Sequence, residues 1–273
     1  MRGNFFWTKS VEVYQQTFSV LKINPIIWIP FLLIGVLDFL ALAVLFFAPS
    51  PPFSYILGPI IERLWSWRYL HYPDNFLLLP KLFHHAHVAI VSIAGVFVTG
   101  LAIKRIELEA TGGARQNTFS LASFVAKHYF SLVAAWVISY AVFTFALKLV
   151  FLWLPRIGLI QILGAFLFGL ALQALFAFFL PAIILFEKGF LRGLWKGLVL
   201  GYRNFGTTVT ILFLPMFVMI ALSFIKSFNP YLVKWYPESV LWVLAIGIVV
   251  TLIVDILVTS ATTILFLKVR NQT

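Results

Sequence analysis

Apolar residues in this chain come in long runs, broken by short stretches that are basic, aromatic or rich in Pro and Gly. Six runs reach the ~20 residues a helix needs to cross a bilayer, where backbone polar groups must be satisfied within the segment itself. They cover 26–48, 83–103, 129–155, 157–186, 205–225 and 240–267. The second run opens on His84, His85 and His87 and is the least uniformly apolar of the six. The pattern predicts an all-α, polytopic transmembrane bundle of six spans arranged as three hairpins.

The stretch before each odd-numbered span has a one-sided helical period instead of a continuous apolar run. In SVEVYQQTFSVLK, Val11, Tyr14, Phe18 and Leu21 share a face opposite Glu12, Gln15, Gln16, Ser19 and Lys22. In FSLASFVAKH the apolar face is Leu121, Phe124 and Val125, opposite Ser120, Ser123 and Lys127. In LRGLWKGLVLGYR it is Leu191, Leu194, Trp195, Leu198 and Tyr202, opposite Arg192, Lys196 and Arg203. Each ends on a basic residue beside a polar and a turn or aromatic residue: Lys22 to Pro25, Lys127 to Tyr129, and Arg203 to Phe205. The chain therefore reads as three repeats, about 8–103, 116–186 and 189–267, each an interfacial amphipathic helix followed by a hairpin. The first repeat is longer by an insertion at about 49–81, whose Trp65, Trp67, Tyr69 and Tyr72 suit the headgroup layer.

Composition places this bundle in lipid. The chain is 62% hydrophobic and 11% charged, with a mean hydropathy of +1.01, whereas charged residues alone approach about a quarter of a soluble domain. Its net charge of +11 would suggest nucleic acid in a soluble protein, but here the basic residues lie between apolar runs, where they act as topology signals and anionic-lipid contacts. With the N-terminus inside, one face holds Arg2, Lys9, Lys22, Lys104, Arg105, Arg115, Lys127, Lys188, Arg192, Lys196, Arg203, Lys268 and Arg270. The other holds only Arg63, Arg68, Lys81, Arg156, Lys226 and Lys234. Basic residues are retained on the cytoplasmic side, so both termini are expected there. The opening MRGNFFWTKSVEVYQQ lacks a short apolar core and small-residue cleavage site, which predicts an uncleaved first span. The chain contains no Cys, so disulfides, thiolate metal sites and Cys nucleophiles are excluded.

Polar residues inside spans are the candidate sites. Asp38 and Asp255 each lie about 20 Å deep, counting ~1.5 Å per residue from Pro25 and from Lys268. A carboxylate there costs about 2.5–3.5 kcal/mol on insertion scales. If the two met, they would raise each other's proton affinity, as a proton-coupled transporter requires; the alternative is that each is hydrogen-bonded and fixes helix packing. Thr251, Asp255 and Thr259 recur at four-residue spacing and predict a polar stripe facing protein. Lys148 can reach the near interface with its long stem, or pair with Asp38. His84 and His87 stand at i and i+3 and offer two imidazoles to a metal, with no third ligand evident. Ala165, Gly169, Gln173 and Ala177 form a line along the fourth span that predicts close helix approach.

The run from Pro181 to Pro215, PAIILFEKGFLRGLWKGLVLGYRNFGTTVTILFLP, carries a span ending in Pro and an apolar run, Glu187 with Gly189, a basic amphipathic helix, then Arg203 and Asn204. This run resembles a bacterial family of six-span inner-membrane proteins similar to the membrane domain of some glycerophosphodiester phosphodiesterases. The opening VEVYQQTFSVLKINPIIWIPFL is similar to that family's N-terminal repeat. The resemblance implies an architecture without chemistry, because phosphodiesterase activity in the fused proteins belongs to a separate barrel.

No phosphate-binding glycine loop, nucleophile elbow or H-E-x-x-H occurs. The expectation is a non-enzymatic subunit or scaffold of a membrane complex, without cofactor or nucleic acid, whose partners are membrane lipids and a protein within the membrane, in lipid handling or transport. The rivals are a proton-coupled transporter using Asp38 and Asp255, and a lipid-headgroup enzyme with the HHAH cluster as its metal site.

Overall fold

A computed structural model describes residues 2–113, 117–153, 158–186 and 189–270; Arg115, Arg156, Glu187 and Lys188 lie outside it. Every regular element among the described residues is helical. Six helical stretches are long and apolar enough to cross a membrane: Pro25–Phe46, Asn75–Ala110, Thr118–Trp153, Leu163–Phe186, Phe205–Ser227 and Ser239–Arg270. The chain is a polytopic membrane protein of six spans.

The elements in chain order are α1 (Arg2–Ile23), a 3-10 turn (Pro25–Ile27), α2 (Trp28–Phe46), α3 (Ser54–Leu64), a second 3-10 turn (Trp67–Leu70) and α4 (Asn75–Ile90). A π-helical turn (Val91–Gly95) leads into α5 (Val96–Ala110) and α6 (Thr118–Trp153). Then come α7 (Gly158–Phe176), α8 (Phe179–Phe186), α9 (Phe190–Arg203), α10 (Phe205–Ser227), α11 (Asn229–Trp235) and α12 (Ser239–Arg270). They form two compact units: Met1–Phe31 with Ser92–Phe217 and Asp255–Thr273, and Leu32–Val91 with Val218–Val254.

The first unit contains α1 and α9, the two amphipathic helices that stand apart from the spans. α1 stops where Asn24 precedes Pro25, and α9 stops at Asn204, whose side chain bonds back to the Leu200 carbonyl at 3.0 Å. Between Lys127 and Phe130 no Pro or Gly interrupts the helix, so the second predicted interfacial segment runs without a break into the third span as α6, 36 residues long. At ~1.5 Å per residue this is roughly 54 Å, well beyond the ~30 Å hydrocarbon thickness. The fourth span is divided instead, by a turn at Ala177 and Phe178 ahead of Pro181. Proline lacks an N–H and collides with the carbonyl four residues back, which accounts for a break at this place.

α1 buries a face that overlaps only in part with the apolar one its periodicity marks, and α9 buries a different one. In α1 the buried residues are Ser10, Val13, Thr17 and Leu21, while Val11 and Phe18 stay open. In α9 the seated face is Gly193, Gly197 and Gly201, and Leu191, Trp195 and Tyr202 are 76%, 68% and 76% exposed. The glycines face the α7–α8 break. A Cβ at Gly201 would overlap the Leu175 carbonyl oxygen, one at Gly197 would lie 3.0 Å from the Phe178 oxygen, and one at Gly193 would lie 3.2 Å from the Ile183 Cα. This seam provides the close approach predicted for Gly169, where an added Cβ meets Met216 and Phe143 at an ordinary 3.6 Å. Gly189 opens α9 at φ +87, a conformation that favours glycine.

The second unit holds the insertion of the first repeat. Asn75 to Lys81 already belong to α4, so the insertion is shorter than the pattern suggested and contains α3 and a 3-10 turn. Half-buried Trp65 and Tyr69 pack with Leu57, Leu70 and Leu82 over buried Ala48, Ile61 and Leu78. Trp67 and Tyr72 remain exposed. Arg68 grips both carboxylate oxygens of Asp74, the second at 3.0 Å, and holds that carboxyl below its ordinary range. A larger core joins Leu42 of α2, Phe76, Leu79 and Phe83 of α4, Val233 of α11, and Val240, Leu244 and Ile248 of α12.

Gly201→Ala should destabilise the protein by about 1–3 kcal/mol through overpacking against backbone. Gly169→Ala should be neutral or gain up to about 1 kcal/mol from helix propensity. Thermal unfolding of both variants in detergent checks the contrast; equal effects would contradict the seam.

Candidate functional site

Asp38 lies near the middle of the first span and is only 4% exposed. The packing of the second unit explains its position. One turn earlier Gly35 lets the Leu252 side chain of α12 press against α2, where a Cβ would stand 2.6 Å from Leu252 Cδ1. Across from it, α4 presents His87, whose ring lies 6.1 Å from that of buried Phe83 one turn before.

The Nδ1 of His87 is 3.0 Å from each carboxylate oxygen of Asp38. A carboxylate can only accept, so Nδ1 carries the proton and donates to both oxygens at once. The acid's partner is therefore a histidine from the HHAH run. The burial is lopsided: the Asp38 side chain is 5% exposed and that of His87 28%. His84, one helical turn before His87, and His85 are both exposed, with rings 5.8 Å apart. The Lys226 ammonium lies along α12, 3.3 Å from where a Cβ on Gly247 would stand.

The remaining predicted residues are placed differently. Asp255 is exposed, Thr251 and Thr259 are half-buried, and Lys148 is exposed. The buried polar stripe on α12 is Ser260, Thr262 and Thr263 instead. Thr262 and Thr263 donate to the Val258 and Thr259 carbonyls at 2.7 Å, the usual way a hydroxyl is satisfied inside a helix. On the fourth span Gly169 is buried, Ala165 and Ala177 are half-buried, and the buried Gln173 Oε1 accepts no hydrogen bond. Among the described residues no three His, Asp or Glu side chains converge as a metal site requires.

A second polar cluster, in the first unit, arises from acids that hydropathy passes over. Glu107 of α5 binds Lys104 and Arg270, each at 2.8 Å, and Asn24 donates to Glu109 at 2.9 Å. Lys268 reaches Glu12 at 3.4 Å. Ion pairs thereby tie α12 to α5 and to α1, and the Asn24 hydrogen bond ties α5 to the residue that follows α1. Sequence reading counted Lys104, Lys268 and Arg270 only as topology signals. The acids of IELEA immediately beyond a span end were the available sign that some of that charge is neutralised locally.

The π-helical turn lies just after His87 in the chain. A π turn breaks the regular ladder of carbonyl acceptors, and the Tyr129 hydroxyl of α6 donates to the Ile93 carbonyl at 2.9 Å. No family model, curated protein or solved structure matches the chain.

Removing one member of a buried pair leaves the other without a partner, at about 3–5 kcal/mol. His87→Leu alone should therefore cost more stability than Asp38→Leu combined with His87→Leu. A double-mutant cycle from detergent unfolding measures this; additive losses would mean the two side chains are not coupled.

Proposed function

We propose that the chain is a non-enzymatic integral membrane protein that serves as a subunit or scaffold at the lipid interface, in an assembly that handles or transports lipid. The observation that carries this reading is the way α1 and α9 are mounted. α9 seats its glycines on the spans and leaves Leu191, Trp195 and Tyr202 open, and α1 buries Ser10, Val13, Thr17 and Leu21 while Val11 and Phe18 stay open. Water is a poor neighbour for such a surface. Each large apolar side chain kept out of water contributes about 1.5–3 kcal/mol.

Exposed Arg192 and Arg203 border the α9 face. An apolar helix face with basic flanks fits the boundary between acyl chains and anionic headgroups. This placement agrees with the excess of Lys and Arg on one side of the spans, and with it goes the proposal of cytoplasmic termini in a bacterial inner membrane. The resemblance of the 181–215 run to six-span proteins of that membrane belongs to the same proposal. A half-buried Lys196 lies 4.5 Å over the Phe186 ring, so this cation serves the protein side of α9.

The chain purified in mild detergent should retain anionic lipid or a membrane protein partner. Combining Leu191→Ser with Trp195→Ser should lower retention of phosphatidylglycerol, scored by native mass spectrometry, by about tenfold, the equivalent of ~1.4 kcal/mol. A monodisperse wild-type protein that carries neither lipid nor partner would overturn the reading.

A further inference from the structure

We infer that Asp38 and His87 form a proton-binding site within the membrane span, loaded through His84 from the end of the second unit that carries α3. This does not depend on the lipid-interface reading, since it rests on other residues and another observation.

The asymmetry of the pair is the starting point. A polar pair that only fixes packing has no need of an opening, because its groups satisfy each other. Here Asp38 is closed off and accepts with both oxygens from the single Nδ1–H of His87, while the imidazole remains 28% exposed. The other ring nitrogen, Nε2, takes no part in the bond to Asp38 and is the atom left to receive a proton. His84 precedes His87 by three residues, so both lie on one face of α4 about 5–6 Å apart at Cβ. His84 is exposed. The order Asp38, His87, His84 therefore runs from closed to open through groups that each accept and release a proton.

The step balances without any other reactant. With His87 neutral the pair carries one negative charge. A proton delivered by His84 binds Nε2 of His87, giving an imidazolium whose Nδ1–H still points at the Asp38 carboxylate, and the pair becomes neutral overall. Release reverses the same bonds, and His84 regains its proton from water. No oxidant or metal takes part.

The surrounding charges favour a proton over a larger cation. Besides His84, α4 brings His85 and Lys81. From α10 comes Lys226, from α11 the exposed Lys234, and from the turn before α12 Glu238, which is engaged by the Tyr72 hydroxyl at 3.2 Å. Arg68, on the turn packed against α4, is held by Asp74. In this unit α2 has no titratable side chain besides Asp38. A metal ion would meet mostly cationic or imidazole groups, and the carboxylates of Asp38, Glu238 and Asp74 are already engaged by His87, Tyr72 and Arg68. A proton needs only a chain of nitrogen and oxygen atoms.

The test is infrared difference spectroscopy after a pH jump on the full chain in lipid nanodiscs. The expected signal is a carboxylate band that shifts together with imidazole ring bands, absent in Asp38→Asn and uncoupled in His87→Gln. His84→Gln should keep the amplitude but slow its rise by about tenfold or more, as loss of a positioned proton donor does. His85→Gln should leave the rate unchanged. A coupled signal that survives Asp38→Asn overturns the site. Should the Asp38 or His87 variants fail to fold, the exposed His84 variant still decides: a rate equal to wild type overturns the relay.

Discussion

Hydrocarbon offers no hydrogen bonds, so any polar group inside a span has to find its partner in the protein. That single constraint organises most of what is seen here. It makes every crossing segment helical. It also governs the departures from regular helix: the π turn after α4 has its Ile93 carbonyl taken up by Tyr129, and the threonines near the end of α12 bond back to their own helix. The same demand falls hardest on Asp38, the acid with the least exposure among the described residues, and it is met by His87. The cost of leaving such a group unpaired is what makes this pair the chemical focus of the second unit.

A second consequence concerns how helices hold one another. Lipid tails are as apolar as leucine, so burying large apolar side chains between helices brings little advantage in the membrane, and close backbone approach contributes more. α9 shows this directly. Three glycines at four-residue spacing let it lie on the carbonyls of the α7–α8 break, while Leu191, Trp195 and Tyr202 are left for the surroundings. α1 follows the same rule with Ser10, Val13 and Thr17. The ion pairs of Glu107 then join α5 to α12, where partial burial shields them from screening more than fully exposed pairs, and the Asn24 hydrogen bond to Glu109 joins α5 to the end of α1.

Six spans, two separate amphipathic helices ahead of the first and third hairpins, and the need of Asp38 for a partner could all be read from the sequence, because each depends on residue type along one segment. Length and hydropathy report what a stretch tolerates, and lipid tolerates only apolar helix. The continuity of α6 was legible in principle too, since nothing between Lys127 and Phe130 breaks a helix. What only the tertiary structure decided was which neighbour each residue has. Periodicity marks Leu191, Trp195 and Tyr202 as apolar but cannot distinguish protein from lipid beside them, and glycine, which carries almost no hydropathy signal, turned out to define the seam. The partner of Asp38 lies 49 residues away in the chain. Choosing His87 over Asp255 or Lys148 depends on the register and rotation of α4 against α2, and those are set by packing around Gly35 and Phe83.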